Sequence, residues 1–109
     1  GGTIIGRRAI WIQLAGSSSS VAPLIDVTIN GGTLTSTDDV YYLALYSYSF
    51  GNSFAQTNVT INGGTFNGNV AFGAGYYADT EIVTIDGGIF NASVGRYTST
   101  GWIDFPKTW

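Results

Sequence analysis

Seven carboxylates, Asp26, Asp38, Asp39, Asp79, Glu81, Asp86 and Asp104, are the only side chains in this 109-residue chain that could serve as acids or bases near neutral pH, since it has neither histidine nor cysteine. Hydrolysis of a glycosidic bond needs two carboxyl groups facing each other across the sugar, about 5–10 Å apart. Asp38 and Asp39 are the only adjacent acids in the sequence. Neighbours in a strand point to opposite faces, and in a turn both would stand in water, so the pair reads as structural. A chain with no catalytic residue and no cofactor is expected.

The absence of Cys and His also removes disulfides, cysteine or histidine zinc sites and nucleophile-relay chemistry, and no metal site is expected. Net charge is −3, with Arg7, Arg8, Arg96 and Lys107 the only cations, too few for a phosphate-backbone footprint, so nucleic acid is excluded as a partner. Charged residues make up 10% of the chain against roughly 25% in an average soluble domain, which leaves solubility to hydroxyls and amides. No apolar run approaches the 18 or so residues of a membrane-spanning helix. The missing initiator Met suggests a processed or excised chain.

What positions these side chains is a repeat. VTINGGTL at 27–34 recurs as VTINGGTF at 59–66 and VTIDGGIF at 83–90, and the Gly-Gly pairs at 1, 31, 63 and 87 lie 30, 32 and 24 residues apart. Val27 and Ile29, Val59 and Ile61, and Val83 and Ile85 alternate with Thr28, Thr60 and Thr84, the period-2 pattern of a strand with one buried face. Asn-Gly between alternating apolar residues is also a hairpin signal, so a meander of hairpins is the rival architecture. Against it, the apolar residue renewed after each glycine pair (Leu34, Phe66, Phe90) marks a corner with the strand running onward. A second apolar segment follows each corner, at Val40, at Val70 with Phe72, and at Val94. Strands stacked at about 4.8 Å in turns of this length form a parallel β-helix. In it, Asn30, Asn62 and Asp86 line one corner as a side-chain ladder. The 30-residue offset sets Arg8 beside Asp38, as an inter-coil ion pair.

The V-T-I-N-G-G-T-F units resemble those of right-handed parallel β-helix proteins, the pectate-lyase-like superfold found among prokaryotic cell-surface proteins, adhesins and some polysaccharide-degrading enzymes. The resemblance implies an all-β fold: a single-stranded right-handed parallel β-helix, or β-solenoid, of about four coils with three short strands each. One domain spans 1–109, with coils at approximately 1–26, 27–58, 59–82 and 83–109. It also implies an extracellular or cell-surface location in a prokaryote. It does not fix an activity, because fold does not fix function.

The ends carry the functional expectation. Repeat proteins close their terminal units with polar caps, yet the first unit holds Ile4, Ile10, Trp11 and Ile12 and the last holds Trp102, Ile103, Phe105 and Trp109. These eight are the expected assembly interface of a subunit that stacks head to tail into a filament or surface fibre. A fragment of a longer β-helix fits the same bare ends. Within VYYLALYSYSF (40–50), residues 40–46 are apolar on both strand faces, so either a bend switches faces or a partner covers the surplus. Tyr41, Tyr42, Tyr46 and Tyr48 are the candidate partner or glycan surface of an adhesin-like, polysaccharide-binding module, with Tyr76, Tyr77 and Tyr97 as extensions. Sequons at Asn58 and Asn91 occur at the frequency chance predicts and carry no inference about glycosylation.

Overall fold

The computed structural model describes residues 2–15, 24–40, 42–50, 56–73, 81–98 and 101–106. Within them the chain is all-β, with no helix. Twelve strands form three sheets, and apart from β12, which pairs with β11, each sheet joins every third strand of the sequence. β1 (Thr3–Gly6), β4 (Thr33–Ser36), β7 (Thr65–Asn67) and β10 (Ile89–Phe90) make the first sheet. The second runs β2 (Arg8–Ala15), β5 (Leu43–Phe50), β8 (Asn69–Gly73), β11 (Val94–Thr98) and β12 (Gly101–Asp104). The third is β3 (Leu24–Ile29), β6 (Gln56–Ile61) and β9 (Glu81–Ile85). All pairings are parallel except β11 with β12. Parallel neighbours cannot be joined by a two-residue turn. The hairpin meander is therefore not the architecture; successive strands pass from sheet to sheet and return one tier higher.

The sequence repeat is the pairing register. Val27, Val59 and Val83 are paired in one row, Thr28, Thr60 and Thr84 in the next, and Leu34 and Phe66 in the first sheet. Alternation sends Ile29, Val59 and Ile61 inward from the third sheet, Leu34 and Phe66 from the first, and Ile12, Leu45, Val70, Phe72 and Val94 from the second. Their side chains meet in one core between the three sheets, where Phe66 and Phe90 stack at 4.9 Å and Phe72 and Phe105 at 5.7 Å. Burying such rings is the main favourable term available to so small a core.

In the two upper Gly-Gly corners both glycines are required, for different reasons, whereas at Gly31 and Gly32 only the second is. The second of each pair has positive φ: 95° at Gly32, 109° at Gly64 and 128° at Gly88. In the upper two the first lies against the corner below. A Cβ on Gly63 would come within 2.8 Å of the Asn30 carbonyl oxygen, and one on Gly87 within 2.8 Å of that of Asn62. Backbone bonds between tiers, such as Asn62 N–H to Ile29 O and Asp86 N–H to Ile61 O, both 2.8 Å, hold the corners in step.

The second tier departs from the repeat. Residues 37–42 are an insert standing where the first tier has Arg7 alone, so the pairing offset grows from 30 (Thr3 to Thr33) to 35 (Arg8 to Leu43). Val40, expected to begin the second strand, lies in this insert and is 80% exposed; the strand begins at Leu43. A register shift between Leu43 and Leu45 makes Ala44 the extra residue of a β-bulge. Gly68 receives it. A Cβ there would stand 2.7 Å from Ala44 N, and its φ of 144° is one that other residues rarely adopt.

Candidate functional site

The bulge explains why residues 43–46 are apolar on both faces. Ala44 and Leu45 turn consecutively into the core, while Leu43 joins Arg8, Trp11 and Tyr46 around a cavity of about 160 Å³ on the outer side. Beyond it the outer face of the second sheet is an aromatic strip. Its rows are Trp11, Tyr46, Ala71 and Gly95, and Gln13, Tyr48, Gly73 and Tyr97. The small third-tier residues let the rings lie along the sheet: a Cβ on Gly73 would meet Tyr48 Cδ2 at 3.1 Å and the Tyr46 hydroxyl at 3.3 Å. Tyr46 is the hub, 5.8 Å from Trp11, 6.1 Å from Tyr48 and 6.5 Å from Tyr97 between ring centroids. Trp102 extends the strip by an edge-on contact with Tyr97 at 4.9 Å. The Arg8 guanidinium sits 4.8 Å over the Trp11 ring.

Of the residues expected to form this surface, Tyr46, Tyr48 and the extension Tyr97 are in the strip. Tyr42 is exposed in the insert, apart from the rings that contact Tyr46, and Tyr41 lies outside the described residues, as do Tyr76 and Tyr77. Trp11, assigned by the sequence to an end, belongs to the strip, as does Trp102. Parity within one strand cannot find them; the cross-strand register does.

The eight end residues divide. Ile12 is in the core, Ile10 packs against it, and Phe105 folds over Phe72 with the Arg96 guanidinium 5.8 Å above its ring. Ile4 continues the inward row of Leu34, Phe66 and Phe90 and is 45% exposed because that row stops there. Ile103 is exposed on β12, and Trp109 lies outside the described residues. Sequence reasoning missed one further feature. Outward positions that are polar in the middle tiers become apolar in the terminal ones: Ile5 pairs with Thr35, Ile82 with Asn58, and Ile89 with Thr65, and all three isoleucines are exposed.

The corner ladder is present at Asn30 and Asn62, whose side-chain amides bond at 2.9 Å, and Asp86 follows them at the next corner. A second ladder lies one strand on, where Asn67 Nδ2 donates to Thr35 Oγ1 at 3.1 Å and Asn91 Nδ2 to Asn67 Oδ1 at 2.7 Å.

Among the described residues the acids do not converge, and Asp79 lies outside them. Asp38, not Asp39, is buried, and its partner is Arg7 rather than Arg8: Arg7 Nη2 lies 3.3 Å from Oδ2, because the insert shifts the alignment by one residue at this point. Oδ1 accepts the Val40 N–H at 2.9 Å, and Ser36 Oγ donates to the Arg7 carbonyl at 2.8 Å, so the carboxylate pins the insert. Asp104 accepts from Trp102 Nε1 at 2.6 Å. Among the described residues no three acids group as a metal site, and no helix is long and apolar enough to cross a membrane. No protein-family model matches the chain, and no curated protein or solved structure matches it.

Proposed function

We propose that the chain is a structural, non-catalytic subunit, a right-handed β-solenoid of the extracellular space or a prokaryotic cell surface, which stacks on copies of itself into a filament. The observation that carries this reading is the state of the sheet edges. At one end β1 and β3, and at the other β10 and β9, are edge strands of parallel sheets, with Ile4, Ile5 and Leu24 exposed at the first end and Ile82 and Ile89 at the second. Edge strands offer rows of backbone donors and acceptors, and natural proteins usually blunt them with charge. Here the edge strands carry only Asp26 on β3 and Glu81 on β9 as charges, and exposed apolar residues stand beside them. Asp38, committed to Arg7 and to the insert backbone, supports a non-catalytic role. Protein cleared by denaturant and refolded across a concentration series, followed by sedimentation and electron microscopy, is expected to yield filaments with an axial spacing of about 4.8 Å. Monodisperse monomers at every concentration in native salt would overturn it.

A second reading rests on the aromatic strip, which suits an adhesin-like module that binds polysaccharide. The faces of sugar rings present C–H groups, and the electron-rich faces of aromatic rings receive them. Glycan binding by the monomer, lost in both Trp11→Ala and Tyr46→Ala, would favour this reading over assembly.

A further inference from the structure

Among the described residues the three sheets do not contain the same number of strands: four in the first, five in the second and three in the third. The surplus strand is β12, and its pairing with β11 is the one antiparallel contact. On the stacking reading, on which this inference rests, the edge of β11 is where a second copy must set down its β2. The register fixes how. Trp11, Tyr46, Ala71 and Gly95 share one row, and Ile12, Ser47, Phe72 and Arg96 share another. One tier further, a second copy would place its Trp11 beside Gly95 and its Ile12 beside Arg96.

Those two places are already taken by the same two residue types. Ile103 is paired with Arg96, and the Trp102 ring lies over Gly95 so closely that a Cβ there would come within 2.7 Å of Cζ2. Trp-Ile occurs twice in the sequence, at 11–12 and at 102–103, once in β2 and once in β12. The strand direction is reversed, yet the ring reaches the same glycine, because glycine opens a slot into which a tryptophan fits from either side.

We propose that β12 is a resident stand-in for β2 of a second copy: it covers the edge of β11 in the free subunit and is displaced when subunits join. Its displacement also withdraws Phe105, whose N–H is bonded to the Val94 carbonyl at 3.0 Å, and so frees that carbonyl for the incoming strand. The partner is thus a second copy, its contact the segment Arg8–Ala15, and assembly is a strand replacement limited by the opening of β12.

The chain lacks cysteine, so an Arg96→Cys, Ile103→Cys pair can be oxidised to fasten β12 to β11 and reopened with dithiothreitol. Growth is read by light scattering and sedimentation. The oxidised pair is expected to remain monomeric and the reduced pair to assemble. Trp102→Ala should shorten the lag roughly five- to tenfold, the scale of one aromatic edge contact. Trp11→Ala should abolish growth while leaving β12 in place. If wild type grows and the oxidised pair grows equally fast, β12 is not displaced and the stand-in is refuted, although stacking survives. If wild type, the reduced pair and Trp102→Ala all stay monomeric, stacking and the stand-in fall together.

Discussion

The side-chain amide of Asn62 donates from Nδ2 to Oδ1 of Asn30, 2.9 Å away and one tier below, at a corner where both side chains are exposed. A lone exposed amide would gain little over water. Repetition changes this, because the corner backbone already fixes each side chain above the next and the entropy of aligning them has been spent. Asn62→Ala should therefore cost about 1 kcal/mol in urea unfolding. A change indistinguishable from zero would show the ladder to be incidental.

The Gly-Gly corners permit an internal control. A Cβ on Gly31 would meet nothing within 4 Å, whereas one on Gly63, at the equivalent position a tier higher, would meet the Asn30 carbonyl at 2.8 Å. Gly63→Ala is expected to destabilise by about 1–3 kcal/mol. Gly31→Ala should stay within about 0.5 kcal/mol of wild type. Equal midpoints in denaturant for the two variants would contradict the close stacking of corners.

Asp38 and Arg7 form an unequal pair, with side chains 7% and 77% exposed. Removing the arginine should cost at most about 1 kcal/mol, as for other exposed ion-pair partners. Asp38→Ala also strips the Val40 N–H of its acceptor, so its cost should exceed that of Arg7→Ala by about 1 kcal/mol or more. Thermal unfolding of the two variants side by side measures the difference, and the reverse order would remove Asp38 from its structural role.

Gly73 lies under the aromatic strip without contributing to the core. Gly73→Ala should push Tyr46 and Tyr48 off the sheet, altering near-ultraviolet circular dichroism while the far-ultraviolet spectrum is kept. Stability should change by about 1 kcal/mol or less, since the rings can move into solvent. An unchanged near-ultraviolet spectrum would mean that the strip is not held flat by the small residues beneath it.

Periodicity along the chain is enough to place the strands that flank each glycine pair and their inward faces, but not the start of β5 at Leu43 in place of Val40. Alternation in VTINGGTF is local, and the second glycine of the pair that ends each alternating run is required by the positive φ of its corner. The offsets between glycine pairs therefore reappear as pairing offsets in the first sheet: Thr3 with Thr33, Thr33 with Thr65, and Thr65 with Ile89. The Asn30–Asn62 ladder followed from the same register. Tertiary structure decided what depends on the space between tiers. The length of the insert at 37–42 moved the ion pair from Arg8 to Arg7, and the bulge at Ala44 put two neighbours on one face, neither of which periodicity can express. The strip joining Trp11, Tyr46, Tyr97 and Trp102 exists only because Ala71, Gly73 and Gly95 are small where strands from four parts of the chain meet. β12 turns back, rather than beginning another tier, at an edge where Gly95 leaves room for a ring, and room of that kind is created by neighbours in space that alternation along the chain does not record.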